Sequence, residues 1–109
     1  MAYFDVNPVD TTGVSIAAAS TGNKGRFIAI GFSNRSTTTE IVRIYDGTAA
    51  AGTLRVEHSL TAGASIYLVI DVPGHSVYPK SWWTSSSAIE CSLASAGDVR
   101  VFGEFVREA

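Results

Sequence analysis

EIVRIYDGTAAAGTLRVEHSLTAGASIYLVID, residues 40–71, is the stretch that decides the fold. Val42 and Ile44 fall on one side of the chain while Ile41, Arg43 and Tyr45 fall on the other, a period that belongs to a strand and not to a helix. Asp46–Gly47 then opens a turn. Beyond it Leu54 and Val56 alternate with Thr53, Arg55 and Glu57, until Ala62–Gly63 breaks the chain again. Ile66, Leu68, Ile70 and Val72 rebuild an apolar face against Ser65, Tyr67 and Asp71. The spacing predicts three successive strands joined as a meander. Strands this short need a second sheet or a partner to cover their apolar face.

Toward the N-terminus, residues 26–33 predict a central strand. Ile28, Ile30 and Phe32 make one apolar face, and Phe27 and Ala29 leave the opposite face partly apolar as well. Gly31 leaves room there for a close neighbour or a bulge. The segment VSIAAA, residues 14–19, is a weaker strand, rich enough in alanine to leave a helix open but too short for an isolated one. Tyr3 to Val6 predicts a short strand that Asn7–Pro8 ends, so residues 1–13 read as an N-terminal arm or short edge strand and 14–109 as the all-β domain.

Toward the C-terminus, Pro73–Gly74 marks a turn, and His75 to Tyr78 suggests a short edge strand stopped by Pro79. Trp82–Trp83 follows. Ile89, Cys91 and Leu93 then alternate with Ala88, Glu90 and Ser92, and Ala96–Gly97–Asp98 looks like the turn of a final hairpin. Its second strand sets Val99, Val101 and Phe105 against Arg100, Phe102, Glu104 and Val106, so each face retains apolar side chains. Short strands at this turn spacing predict one all-β domain, a sandwich, jelly roll or compact barrel, in preference to alternating βαβ units.

The composition narrows the classes of function. A chain of 109 residues suffices for one modest core. Its formal charge of −2 and scattered lysines and arginines give no basic stripe for nucleic acid. No run of apolar residues approaches a membrane span, and MAYFDVNPVD does not read as a secretory signal, so synthesis in a cytoplasm is expected. With Cys91 as the single cysteine, no intrachain disulfide can form, and its alternating apolar neighbours predict a small buried hydrophobe instead of a nucleophile.

Catalytic chemistry is not predicted. His58 and His75 belong to no nucleophile motif, and Glu57 beside His58 points to the other face of its strand. His58, His75, Cys91 and Asp71 lack zinc-like spacing, so no metal site is expected, although the turn aspartates Asp46, Asp71 and Asp98 have the oxygen ligands calcium would use between subunits. TGNKG, residues 21–25, lacks the phosphate-loop spacing and leads into no helix, so no nucleotide cofactor is expected. Trp82 and Trp83 point oppositely on an extended chain, which favours one in the core and one on a surface or subunit contact. Stacking on a sugar ring is the alternative.

The succession IVRIYDGTAAAGTL, LTAGASIYLVIDVPG and AGDVRVFGEFV resembles small all-β proteins of tailed-bacteriophage virions, especially head decoration or cement proteins, over roughly residues 26–106. The resemblance lies in strand-turn rhythm and glycine placement, with no catalytic signature. It implies a non-enzymatic structural protein, made in the host cytoplasm and placed on the virion head, that binds the major capsid protein or another virion protein and forms a homo-oligomer. A tail or fibre module binding a host glycan or a tail protein is the alternative. The contacts expected to carry assembly are Tyr3, Phe4, His75, Tyr78, Trp82 and Trp83, which offer an edge strand or aromatic area at low ordering cost.

Overall fold

In the computed structural model, residues 2–20, 24–69, 71–72, 75–76 and 87–108 are described. Alternating side chains lay them out as strands β1 (Ala2–Val6), β2 (Val14–Ala17), β3 (Lys24–Asn34), β4 (Glu40–Asp46), β5 (Thr53–Leu60), β6 (Ser65–Val69), β7 (Asp71–Val72), β8 (His75–Ser76), β9 (Ile89–Leu93) and β10 (Val99–Glu108). Two four-stranded antiparallel sheets form, one in the order β1-β10-β3-β6 and the other β2-β9-β4-β5, with β7 and β8 as a separate small hairpin. The chain therefore runs out through β1 to β4 and returns through β5, β6, β9 and β10, each outgoing strand pairing with a returning one. Such a long hairpin wrapped across two sheets is the jelly roll, and the β10–β3 and β9–β4 pairings complete each sheet.

This wrapping corrects two local readings. β4 and β5 do form a hairpin, but β6 crosses to the other sheet, so residues 40–71 are not a three-stranded meander. The 96–98 turn likewise joins strands of different sheets instead of closing a hairpin. Local alternation specifies strands, whereas sheet membership depends on pairings between residues far apart in sequence.

The core lies between the sheets. Phe27, Ile30, Phe32, Val99, Val101 and Phe105 meet Val42, Ile44, Leu60, Ile89, Cys91 and Leu93 from the facing sheet, all of them buried. Phe27 was expected on the face opposite Ile30 and Phe32, yet it is in the core. Between β10 and β3 the register passes from Glu104 opposite Ala29 to Phe105 opposite Phe27, leaving Ile28 as an extra residue. This bulge turns Phe27 inward, where it meets Phe105 edge-on at 4.8 Å and Phe4 at 5.8 Å. Each such contact contributes about 0.5–1.5 kcal/mol beyond area burial. A second bulge leaves Arg55 unmatched between Ile44–Val56 and Tyr45–Leu54. Leu54 and Val56, expected on one face, are thereby separated, with Val56 against the core and Leu54 exposed.

Two devices, a buried side chain and a glycine, hold the strands in place. The Asn34 amide donates to the carbonyls of Thr38, Leu60 and Thr61 at 3.0–3.1 Å, while its Oδ1 accepts from Ser36 N at 2.9 Å. That side chain ties the β3–β4 connection to the β5–β6 crossover. Gly103 has φ +149°, and a Cβ there would stand 2.2 Å from the Ala29 carbonyl oxygen. Glycine therefore permits β10 to approach β3 beside the bulge.

Asn34→Ala is expected to lower stability by about 2 kcal/mol or more, because a buried polar group left without its partner costs roughly 1–3 kcal/mol. Gly63 also has positive φ, +74°, but open space around its Cβ position, so Gly63→Ala is expected to cost only about 1–2 kcal/mol of backbone strain. Gly103→Ala should cost more than that. Urea unfolding of the three variants checks the ranking, and Gly103→Ala equal to Gly63→Ala would remove the close approach as a constraint.

Candidate binding face of the outer sheet

The outward side of the β1-β10-β3-β6 sheet is the least ordinary surface among the described residues. Because Val99 and Val101 point into the core, Arg100, Phe102 and Glu104 point out. One row crosses all four strands: Asp5 lies opposite Phe102, Phe102 opposite Gly31, and Gly31 opposite Tyr67. A Cβ on Gly31 would meet the Phe102 ring at 2.3 Å, so the ring occupies the space that glycine leaves. Phe102 and Tyr67 reach toward each other over that gap and lie nearly parallel, 12° apart with centroids at 6.0 Å. Tyr67 is 58% exposed and Tyr3, opposite Glu104 in the neighbouring row, 81% exposed.

Polar groups frame these rings. The Arg100 guanidinium donates twice to Asp5, Nε to Oδ1 at 2.9 Å and Nη2 to Oδ2 at 2.8 Å, and its carbon lies 4.4 Å from the Phe102 centroid. That hydrogen bond from Arg100 is the main reason the Asp5 carboxyl titrates below its ordinary value of 3.8. Along the next row Ser65 and Ser33 share a hydroxyl contact at 3.1 Å. Glu104 Oε2 is buried with no hydrogen-bond partner. Together Tyr3, Asp5, Tyr67, Arg100, Phe102 and Glu104 surround an open trough of about 360 Å³.

The outer side of the other sheet is built differently. Arg43 and Glu57 pair at 2.8 Å and Tyr45 is buried, whereas Asp46, in phase with the inward Val42 and Ile44, is itself buried and lies 3.7 Å from Arg55. Leu54 is its one strongly exposed large apolar residue among those described. Each outer side thus carries a charge pair, Asp5 with Arg100 on one and Arg43 with Glu57 on the other, but the exposed aromatic rings are concentrated on the first.

Of the residues expected to make contacts, the two whose side chains are described point to opposite sides of β1. Tyr3 is on the aromatic face, but Phe4 alternates inward and packs on Phe27. His75 contributes backbone to β8, opposite Val72, and Tyr78, Trp82 and Trp83 lie outside the described residues. His58 is half-buried against Phe32 at 5.8 Å, while Glu57 turns away to Arg43. Asp98 faces Arg35 at 3.3 Å and accepts from Asn7 at 2.9 Å, and Asp46 faces Arg55. Among the described residues no three His, Cys, Asp or Glu side chains gather as a metal site. Sequence reading missed Asp5, Tyr67, Arg100, Phe102 and Glu104 as a group. Its one pointer to them was the apolar character of both faces of the strands that became β3 and β10.

No protein-family model and no curated protein matches the chain.

Cys91 is fully buried, and burial pushes its thiol up to about 12. It is therefore expected to resist thiol reagents at pH 8 until denaturant is added. A colorimetric thiol assay on native and unfolded protein checks this, and rapid native labelling would contradict the burial. For Asp5 the sign is that of a depressed carboxyl: its favourable contribution is present above the unfolded pKa and is lost as pH falls through the lower folded pKa. Carboxyl NMR should give Asp5 a midpoint below 3.8, rising toward that value in Arg100→Gln.

Proposed function

We propose that this chain is a non-enzymatic structural protein of a tailed-bacteriophage virion, an auxiliary head decoration or cement protein that docks on the major capsid protein or another virion protein. The observation that carries the reading is the open edge of β1. Among the described residues this strand pairs with β10 on one side only, and of its own five residues the sole charged side chain, Asp5, is held by Arg100. Natural sheets discourage unwanted pairing by placing charges on their edges. The edge strand β5 carries two charged residues, Arg55 and Glu57, each in an ion pair of its own, whereas β1 carries Asp5 alone and presents Tyr3.

An unguarded edge takes an extended segment of a neighbour by backbone hydrogen bonding, with exposed side chains choosing the register. Bridging two capsid subunits this way stabilises the assembled shell by mass action. Pairing with a second copy of the chain gives the homo-oligomeric form of the same contact. The phage-like rhythm of residues 26–106 supplies the virion context. The jelly-roll strand order adds support by analogy, since viral capsid and lectin domains share it with proteins of many functions. The tail or fibre reading draws support from the aromatic trough instead of the edge.

Purified protein mixed with phage heads lacking it is expected to co-sediment with them and raise their resistance to heat. Tyr3→Lys, which puts a charge on the open edge, should weaken that binding by about tenfold or more while leaving the far-ultraviolet spectrum unchanged. Failure to bind heads, with labelled protein found only at the tail tip by cryo-electron microscopy, would transfer the assignment to the tail. Head binding without added heat resistance would reject cementing and leave display.

A further inference from the structure

We propose that the trough around Tyr67 and Phe102 is a glycan-binding subsite that takes a short oligosaccharide across the sheet. The inference rests on the geometry of this face and not on the β1 edge or the virion placement.

A sugar ring has one face of C–H groups and a rim of hydroxyls. Aromatic faces carry negative quadrupoles and attract the slightly positive C–H side. Tyr67 is exposed to solvent and offers such a face, with the Phe102 ring nearly parallel to it at 6.0 Å. Tyr3 stands at the opposite edge of the sheet, three interstrand spacings or roughly 14 Å away. That span suits several linked sugar units better than a single ring. The trough, about 360 Å³, lies within the roughly 300–1,000 Å³ range typical of small-ligand sites.

The polar rim selects hydroxyls over a protein surface. Asp5 and Arg100 are exposed, fixed by two mutual hydrogen bonds, and together present acceptors and donors to neighbouring hydroxyl groups. Glu104 lines the same trough with one carboxylate oxygen unpartnered. Rotation of this half-buried side chain brings that acceptor to a hydroxyl, whereas an apolar protein patch laid over it would leave it unpaired. Carboxylates on the rim disfavour strongly acidic sugars, so neutral hexose and N-acetylhexosamine chains are the expected class.

The test is a glycan array carrying neutral, amino-sugar and uronic-acid oligosaccharides, followed by calorimetry and NMR with the best neutral binder. Binding is expected, with shifts confined to Tyr3, Asp5, Tyr67, Arg100 and Phe102. Tyr67→Ala should weaken it at least tenfold, Tyr67→Phe should retain most of it, and Leu54→Ala on the other sheet should change nothing. The NMR footprint decides the matter if Tyr67→Ala fails to fold. Absence of array binding, shifts elsewhere, unchanged affinity in Tyr67→Ala, or occupation of this face by a capsid protein in decorated heads would each overturn the proposal. Loss of head binding alone bears on the β1 edge and leaves this site standing.

Discussion

The close pairing of β10 with β3 is the constraint on which both sides of the molecule depend. Gly103 lets the two backbones approach where a side chain would strike the Ala29 carbonyl, and the register then slips past Ile28. On the inner side the slip delivers Phe27 to the core beside Phe105. On the outer side Gly31 stays opposite Phe102, whose ring fills the vacant volume and meets Tyr67. The core and the aromatic face are two consequences of one strand pairing. A change there acts on stability and on surface shape together, so binding data from variants of Gly31 or Gly103 have meaning only beside their unfolding data.

What was legible in the sequence follows from the range of each interaction. Alternation in β4, β9 and β10 put Val42 with Ile44, Ile89 with Cys91 and Leu93, and Val99 with Val101 on common faces, and all of these residues are buried. Single-residue bulges defeated the same logic at Phe27 and Leu54, because one extra residue reverses the faces on either side of it. Neither bulge is marked by its own residue type: Ile28 and Arg55 are ordinary strand residues. For the first, the cue lay across the sheet in Gly103 of the partner strand, whereas β4 opposite Arg55 carries no glycine. Sheet membership was less legible still, since a wrapped hairpin pairs β1 with β10 from opposite ends of the chain.

The binding face was hidden for the same reason. Asp5 and Arg100 are 95 positions apart, and their double hydrogen bond exists only once β1 closes onto β10. Adjacent aromatic pairs attracted attention first, yet adjacency on a strand separates side chains: Tyr3 is exposed and Phe4 packs inward. Residues that share a surface come from different strands at matched register, as Phe102 and Tyr67 do on either side of Gly31. The useful sequence signal was an outward phenylalanine in a strand already furnished with an inward apolar face.

Edge and face make separable demands on a partner. The contact proposed along β1 would read backbone, which every extended protein segment offers, so its specificity would have to come from surrounding shape. The proposed sugar contact would use side chains already fixed by packing, at low entropic cost, because Phe102 is seated on Gly31 and Arg100 is tied to Asp5 before any ligand arrives. Tyr3 belongs to both, its backbone to the edge and its ring to the trough. Tyr67, on the far edge strand of the same sheet, belongs to the trough alone. A neighbour bound along β1 therefore covers one end of the aromatic face while leaving Tyr67 and Phe102 open. The two proposed contacts thus compete for the Tyr3 ring, while Tyr67 and Phe102 are left to the sugar alone.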